Sequence, residues 1–315
     1  MARTKVDVEN AELRELLTRE QPELPFRFFY DDAGMQLFGR ITELPEYYQT
    51  RAETGILKQC GPEIMRVTGA RSICELGAGE AVKIRLLIGP GVKGGDLRSV
   101  SLVDVNREAV DSSCALLAAD YPDVAFTGHV ADLTSDLSCL GQEQGQLVAY
   151  LGGSFGNFGP GARELFLGQL ARAMGSGNLL LMGVDMVKDA ERLEAAYDDA
   201  QGVTAAFNLN ALRHLNRETG SDFVVENFEH VAHYDEVNQW VELSLRAIEA
   251  CEVRVPSVGV ELSFRAGDRI RTELSCKYTP ETLGALAVEA GFEVVDWFTD
   301  DEKLFGLVLL RPAQG

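Results

Sequence analysis

From about residue 56 onward, short runs rich in Val, Ile and Leu alternate with stretches whose apolar positions return every three to four residues. The runs "RSICEL", "SVSLVDV", "VAFTGHV", "GQLVAYLGG" and "GNLLLMGVDM" predict strands. The stretches "GILKQCGPEIMRVTG", "AVKIRLLIG", "REAVDSSCALLAADY" and "GARELFLGQLARAMG" predict helices. Near-continuous apolar strands separated by helices imply a parallel sheet with helices on both faces. Such sheets hold ligands beyond the carboxyl ends of their strands. After "VDM" the pattern changes. A helical stretch covers 189–219, followed by the strand-like runs "FEHVAHYDE", "QWVELSLRAIEACEVRV", "GVELSFRAG" and "RIRTELSCKY", which predict an antiparallel meander. A last helix, "TPETLGALAVEAG", begins at Thr279 or Pro280 and ends at Gly291. The runs "FEVVDWFTD" and "LFGLVLLRP" then predict a hairpin that closes the first sheet. The expected architecture is α/β. Residues 52–187 with 278–315 form a doubly wound, mostly parallel sheet with a C-terminal antiparallel hairpin. Residues 1–51 with 188–277 form a smaller α+β domain inserted into it.

The chain has 315 residues, 46% of them apolar and 25% charged, ample for two such cores. Its 29 basic and 49 acidic residues leave a net charge of −20. That balance argues against nucleic acid or an anionic membrane as a main partner and leaves small ligands open. The six cysteines (Cys60, Cys74, Cys114, Cys139, Cys251, Cys276) show no paired spacing and read as buried thiols in a reducing compartment. "MARTKVDVENAELRELL" carries no apolar run of a signal peptide, and no stretch approaches the ~20 apolar residues of a spanning helix. A cytoplasmic location is therefore expected. His129, His214, His230 and His233 lack metal-ligand spacing, so no metal site is expected; His230 and His233 read as surface or packing residues. Nothing in the chain speaks to oligomeric state.

The chemistry begins at "ICELGAGEAVKIRLL", a strand, a glycine turn and a helix. Gly77 and Gly79 let backbone approach a ligand, and the helix start offers free N–H groups. A dinucleotide loop wants a third glycine, but position 82 is Val. A methyltransferase loop wants an acid just before the glycines, and Glu75 supplies it. The next strand ends at Asp104, placed to take the hydroxyls of a ribose. The third ends at "HVADLTS", where Asp132 can hold an adenine amino group. Acids at three successive strand ends suit S-adenosylmethionine, which is cationic and carries no phosphate. A lone GxG is no more than a tight turn; the expectation rests on the acids in register with it.

In "IRTELSCKY" the alternation of a strand puts Glu273, Ser275 and Lys277 on one face. With this stretch go "FFYDDAGMQLFGRITELPEYYQTRAE" (28–53), "YLGGSFGNFGPGARELFL" (150–167) and "MVKDAERLEAAYDDAQGVTAAFN" (186–208). Together they resemble the histidine-specific N-α-methyltransferases of ergothioneine biosynthesis, in order and over nearly the whole chain. The resemblance implies a class I methyltransferase domain and a substrate domain made from the N-terminal segment and the insertion. It implies S-adenosylmethionine as cofactor and three methylations of the α-amine of free L-histidine, giving the betaine hercynine. By the same resemblance Tyr30 and Asn157 attend the amine, and Tyr47, Tyr197 and Asn157 bind the carboxylate beside Gly152. Phe38 walls the site, and Glu273 and Ser275 hold the imidazole. Gly77, Lys83, Asp104, Asp132 and Leu133 match the cofactor site, to which the loop reading adds Gly79.

An imidazole has two nitrogens that each need a partner once buried, which a carboxylate and a hydroxyl on one strand face supply. Leu243 stands where the family carries Met near the imidazole, and the loops "GAGEAVKIR" and "GGSFGN" depart from the family's usual "GSGTSEKTR" and "GSTIGN". The same fold methylating an arginine side chain or a tryptophan derivative therefore stays open as an alternative. So does a non-catalytic binder of cofactor or amino acid. Asn157 also reads simply as a turn residue in left-handed geometry, Lys83 as a solvated helix residue and Tyr197 as a packing residue.

Overall fold

The computed structural model describes residues 5–134, 136–140 and 144–313. The first four residues of the stretch inspected for a signal peptide, and 314–315 of the expected sheet domain, lie outside the described residues. In chain order the elements are α1 (Lys5–Leu17), α2 (Asp32–Glu43), α3 (Gln49–Thr68), β1 (Ser72–Leu76), α4 (Arg85–Gly94), β2 (Ser99–Asp104), α5 (Arg107–Asp120), β3 (Ala125–Val130), β4 (Gln146–Tyr150), α6 (Ala162–Ala173) and β5 (Leu179–Asp185). There follow α7 (Ala190–Tyr197), α8 (Val203–Thr219), β6 (Phe228–Asp235), β7 (Trp240–Ala247), β8 (Cys251–Val255), β9 (Val260–Phe264), β10 (Arg269–Cys276), α9 (Pro280–Glu289), β11 (Phe292–Thr299) and β12 (Phe305–Pro312). The chain divides into two compact units, Met1–Tyr48 with Lys188–Ser275 and Gln49–Val187 with Cys276–Gly315.

The larger unit is one seven-stranded sheet in the order β11-β12-β5-β4-β1-β2-β3. β1 runs parallel to both β2 and β4, so the strand order reverses between β1 and β4. In an open α/β sheet that reversal opens a crevice at the carboxyl ends, here between the turns after β1 and after β4. β12 lies antiparallel between β5 and β11, the closing hairpin expected from the last two apolar runs. Ile73, Leu102, Leu147, Leu181 and Leu307 are fully buried in the core of this unit, with Ile56, Leu57 and Ile64 of α3.

Among the described residues no helix forms between β3 and β4, and most of β3 is exposed. The connection is rich in Asp, Ser and Gly, which favour turns over a 3.6-residue repeat.

The unit boundaries fall at Tyr48/Gln49 and Ser275/Cys276, not after 51 and 277. Gln49 already opens α3, whose buried stripe belongs to the larger unit. Cys276 Sγ bonds Phe158 O at 3.6 Å, and Lys277 Nζ lies 2.9 Å from Asp185 Oδ2 in a fully buried ion pair. Lys277 lies past the end of β10 and is paired with Asp185 of the larger unit. A bridge between Met186 and Tyr278 ties the departing and returning chain together.

In the smaller unit, the predicted meander is two sheets. β10, β7 and β6 form one in that order, and β8 pairs with β9 in a separate hairpin. The run "QWVELSLRAIEACEVRV" breaks at Ile248–Ala250. The helical stretch 189–219 is likewise two helices. The Asp199 carboxylate accepts N–H bonds from Val203 at 3.0 Å and Thr204 at 2.7 Å, capping the start of α8 after the left-handed Gly202. Leu13, Leu17, Phe207, Leu212, Leu215, Leu245 and Ile270 are buried in the core of this unit. Among the described residues no helix is long and apolar enough to cross a membrane. All six thiols are free; Cys74 and Cys276 are buried, whereas Cys60, Cys114, Cys139 and Cys251 are only partly so, less than expected.

Candidate active site

The glycine turn is built by its hydrogen bonds to β2. Gly77 and Gly79 take positive φ, 68° and 50°, and Ala81 is held at 50°, a conformation an alanine adopts at a cost. The N–H groups of Gly77 and Ala78 both donate to Val103 O, at 2.8 and 3.0 Å. Gly79 N–H donates to Asp104 Oδ2 at 2.9 Å, and Asn106 N–H to Oδ1 at 3.0 Å. The N–H groups of Gly77, Ala78 and Gly79 are therefore committed to β2 and its end. Asp104 has a structural duty besides the ribose contact expected of it: it locks the loop.

Behind the loop lies a buried acid. Glu75 is 4% exposed, and its Oε2 has no hydrogen-bond partner among the described residues. Burial pushes its carboxyl well above the ordinary value; Lys83 pulls it back, and the charges of Glu53 and Asp104 push it up again. Lys83 Nζ bonds Glu53 Oε2 at 2.5 Å, and Glu53 Oε1 accepts the N–H of Gly152 at 2.8 Å. The turns after β1 and β4 are thereby joined through one carboxylate of α3. Gly152 and Gly153 take the left-handed conformation, at φ 94° and 73°, and Asn157 does not, contrary to the left-handed geometry read for it as a turn residue. Asn157 ends a short 3-10 turn, Ser154–Asn157. Asp132, after β3, is exposed, and its Oδ1 accepts from Thr134 N at 2.9 Å and Thr134 Oγ1 at 2.7 Å; Leu133 beside it is half-buried.

This acidic pocket tests the fit of S-adenosylmethionine. The acids Glu53 and Asp104, with Glu75 held in its neutral form by burial behind the loop, suit a cationic sulfonium and ammonium better than a pyrophosphate.

The smaller unit assembles a second cluster from distant stretches. Asp31 caps α2, accepting from Gly34 N at 2.8 Å, and is braced by Asn210 Nδ2 at 2.7 Å and by an ion pair with Arg217. A Cβ on Gly34 would lie 1.9 Å from Phe29 O, so only glycine lets α2 start this close to "FFYD". That geometry fixes Tyr30. Its ring packs edge-on against Phe38 and Phe207, with centroids 5.8 and 5.7 Å away. Burial, with the Glu273 carboxylate adding to it, holds the Tyr30 hydroxyl far above its usual pKa.

At the end of α7, Tyr197 Oη and Ser275 Oγ are hydrogen-bonded at 2.6 Å, and Tyr47 meets the Tyr197 ring edge-on at 6.4 Å. A carboxylate binder and an imidazole binder of the expected set thus touch each other. Tyr197 is buried, and its hydroxyl has a polar partner. His230 holds this helix end: its Nε2–H donates to Tyr197 O at 2.8 Å, and its Nδ1 accepts from Asn208 Nδ2 at 2.8 Å. Leu243 is buried on β7 opposite Ala232 of β6.

Within the smaller unit, then, Tyr30 is electrostatically coupled to Glu273 and packed on Phe38, and Tyr47, Tyr197 and Ser275 are grouped. Within the larger unit, Gly79 and Asp104 are joined directly and Lys83 and Gly152 through Glu53. The sequence reading missed Glu53, Phe207 and His230 as members. Glu53 carried a signal: it occupies the stripe of α3 continued by Ile56, Leu57 and Ile64, where a lone carboxylate is out of place. Phe207 carried none, being an apolar residue on the apolar face of α8.

The sequence profile described as "Histidine-specific methyltransferase, SAM-dependent" matches residues 9–312. The chain is 41% identical to a histidine N-alpha-methyltransferase of Mycolicibacterium smegmatis, over 95% of this chain and 93% of that one. It is 39% identical to the protein of the same name from Mycobacterium tuberculosis, over 93% and 91%. Among solved structures, an S-adenosylmethionine-dependent methyltransferase from Clostridium acetobutylicum superposes with a TM-score of 0.49 at 8% identity, covering 89% of this chain and 99% of that one. A match running from the first helix to the last strand, joined to an acidic glycine loop at the switch point of the sheet, places this chain in the family of histidine-specific, S-adenosylmethionine-dependent methyltransferases.

Proposed function

We propose that this enzyme methylates the α-amine of free L-histidine, three times in succession, to give the trimethylated betaine. The observation that carries the reading is the polar set of the smaller unit: Glu273 and Ser275 on one face of β10, with Tyr30 in the field of Glu273 and Tyr197 bonded to Ser275. A carboxylate and a hydroxyl on one face match the two nitrogens of an imidazole. A site of this kind favours amino acids that match both groups, since a mismatched buried hydrogen bond costs ~1–3 kcal/mol.

Lys83, Asp104, Asp132 and Leu133 hold the cofactor in this reading, with Glu75 behind the loop. When bound, S-adenosylmethionine supplies an electrophilic methyl carbon and a thioether leaving group. The chain's own residues have to present a neutral amine in line with that carbon. An α-amine with a pKa of about 7.7–8.0 in peptides needs little help to lose its proton. The Tyr30 hydroxyl stays protonated, so it orients the amine as a neutral hydrogen-bonding group and does not act as a phenolate base. Asn157 contributes an amide to the same task. Phe38 and Phe207 offer aromatic faces, which tolerate a growing ammonium charge. The free thiols fit a reducing, cytoplasmic setting.

The test is incubation with S-adenosylmethionine and an equimolar mixture of amino acids, followed by mass spectrometry with fragment-ion localisation. Trimethylation of histidine on its α-nitrogen is expected. Methylation of arginine or tryptophan in its place, or no methylation with tight cofactor binding, overturns the reading.

A further inference from the structure

Glu53 is the most enclosed charged group near the cofactor loop. It is 1% exposed, yet both its oxygens are engaged, Oε2 by Lys83 Nζ at 2.5 Å and Oε1 by Gly152 N–H at 2.8 Å. The sheet keeps room for it: a Cβ on Gly183, in mid-β5, would lie 2.4 Å from Glu53 Oε1. No turn or unusual φ requires glycine at Gly183, so clearance for this carboxylate, together with the Phe305 ring 3.1 Å from the same point, accounts for it. A carboxylate buried this deeply costs desolvation that a packed apolar side chain would avoid, although its partner Lys83 stays partly exposed. Holding two turns together needs only a neutral acceptor. The negative charge calls for another reason.

That reason is in the local charge count. The groups surrounding the pocket in this unit are Glu53, Glu75, Asp104 and Lys83. Burial favours the neutral form of Glu75. With Asp132, which the cofactor reading also uses, the rest then sum to about two negative charges, and Glu53 supplies half of that excess. The cofactor and its spent product share adenosine, amine and carboxylate; they differ by the single positive charge of the sulfonium. Both feel the charge at Glu53 through amine and carboxylate, and only the cofactor feels it at sulfur, so the charge separates their affinities.

We propose that Glu53 is a positioning residue that holds Lys83 and the Gly152 turn in place and whose charge makes the cofactor pocket prefer the sulfonium form over its thioether product. The inference rests on S-adenosylmethionine being the cofactor. A preference of this sign discharges the product after each transfer, which matters to an enzyme that must reload for each of several methylations of one substrate.

The test is titration calorimetry of the full-length protein with S-adenosylmethionine and, separately, with S-adenosylhomocysteine. Glu53→Gln keeps an acceptor for Gly152 N–H and removes the charge. Its ratio of thioether to sulfonium dissociation constants falls about tenfold, the scale of unit charges on the order of 10 Å apart at an effective dielectric constant of about 20. Glu53→Asp keeps the charge and the wild-type ratio, even where both affinities weaken. Lys83→Gln moves the ratio in the opposite direction, so the test survives if Glu53→Gln does not fold. The double Gln variant returns to the wild-type ratio. Equal weakening of both ligands by Glu53→Gln, or an unmoved ratio in Lys83→Gln, overturns the inference and leaves the cofactor assignment standing. Failure of the wild-type protein to bind either ligand overturns both.

Discussion

The two units recognise by different means. In the larger unit the candidate cofactor site is made of backbone and charge. The glycine turn is pinned to β2 through Val103 O and Asp104, and the charges of Glu53, Glu75, Lys83 and Asp104 are set against one another. In the smaller unit the candidate amino-acid site is made of neutral side chains around one carboxylate. Tyr30, Phe38 and Phe207 form an aromatic corner, and Tyr197 and Ser275 share a hydrogen bond. The first arrangement, proposed to take a charge and a sugar, can be drawn from one strand–turn–helix and the strand ends beside it. The second, proposed to take a ring and an amine, needs residues from α2, α7, α8 and β10. One strategy uses local chain geometry, the other uses packing.

The largest expected effect breaks the first strategy alone. Asp104→Ala removes the acceptor of Gly79 and Asn106 N–H as well as the expected ribose contact. Hydrogen bonds to a charged group are worth ~1.5–3 kcal/mol each, so the affinity for S-adenosylmethionine should fall about 100-fold or more in calorimetry. Next, Glu273→Ala should lower kcat/KM for histidine about 10- to 100-fold while the cofactor dissociation constant moves less than about twofold. A matching loss of cofactor affinity would collapse the distinction between the two strategies.

A smaller effect concerns the support under Tyr197. Burial, outweighing the Tyr197 carbonyl and the charges of Asp198 and Asp199, depresses the pKa of His230 below 6.5. In the unfolded chain the imidazole takes its proton near pH 6.5, in the folded chain only at lower pH. Between those values the unfolded state binds more protons, so the stability that neutral His230 contributes is full above pH 6.5 and is lost as pH falls through the folded value. The urea midpoint should therefore drop more between pH 7.5 and 5.5 in wild type than in His230→Asn. Equal drops would remove His230 from the support of the α7 end. The smallest effect belongs to Leu243→Met. A volume-conserving swap on a buried strand face should change kcat/KM for histidine less than about threefold; a larger gain would mean that Leu243 already tunes the substrate.

Much of the larger unit was legible because its signals are local. The period switch between apolar strands and helices, the closing hairpin and Glu75-x-Gly77-x-Gly79 each lie within a few residues of what they specify. The errors fell where specification is not local. The helical stretch 189–219 keeps its apolar period through the break, and only the Asp199 cap reveals the two helices. The run 239–255 has strand character throughout, and its division between two sheets depends on which partner strand is available. Lys277 alternates with Glu273 and Ser275 in sequence, but it lies past the end of β10 and its partner is Asp185. Resemblance, not periodicity, singled out Tyr30, Tyr47 and Tyr197, because a tyrosine in an amphipathic stretch looks the same whether it packs or binds.

The sequence by itself determined the order of elements, the inserted domain, the glycine loop and the family, since repeating local preferences and long colinear motifs survive without knowledge of contacts. Tertiary structure decided which polar groups meet. Tyr197 and Ser275 are 78 residues apart in sequence and share a hydrogen bond. Glu53 reaches a lysine 30 residues on and a glycine N–H 99 residues on. Such partnerships are fixed by burial, where a polar group without a partner is costly, and burial is a property of the packed chain.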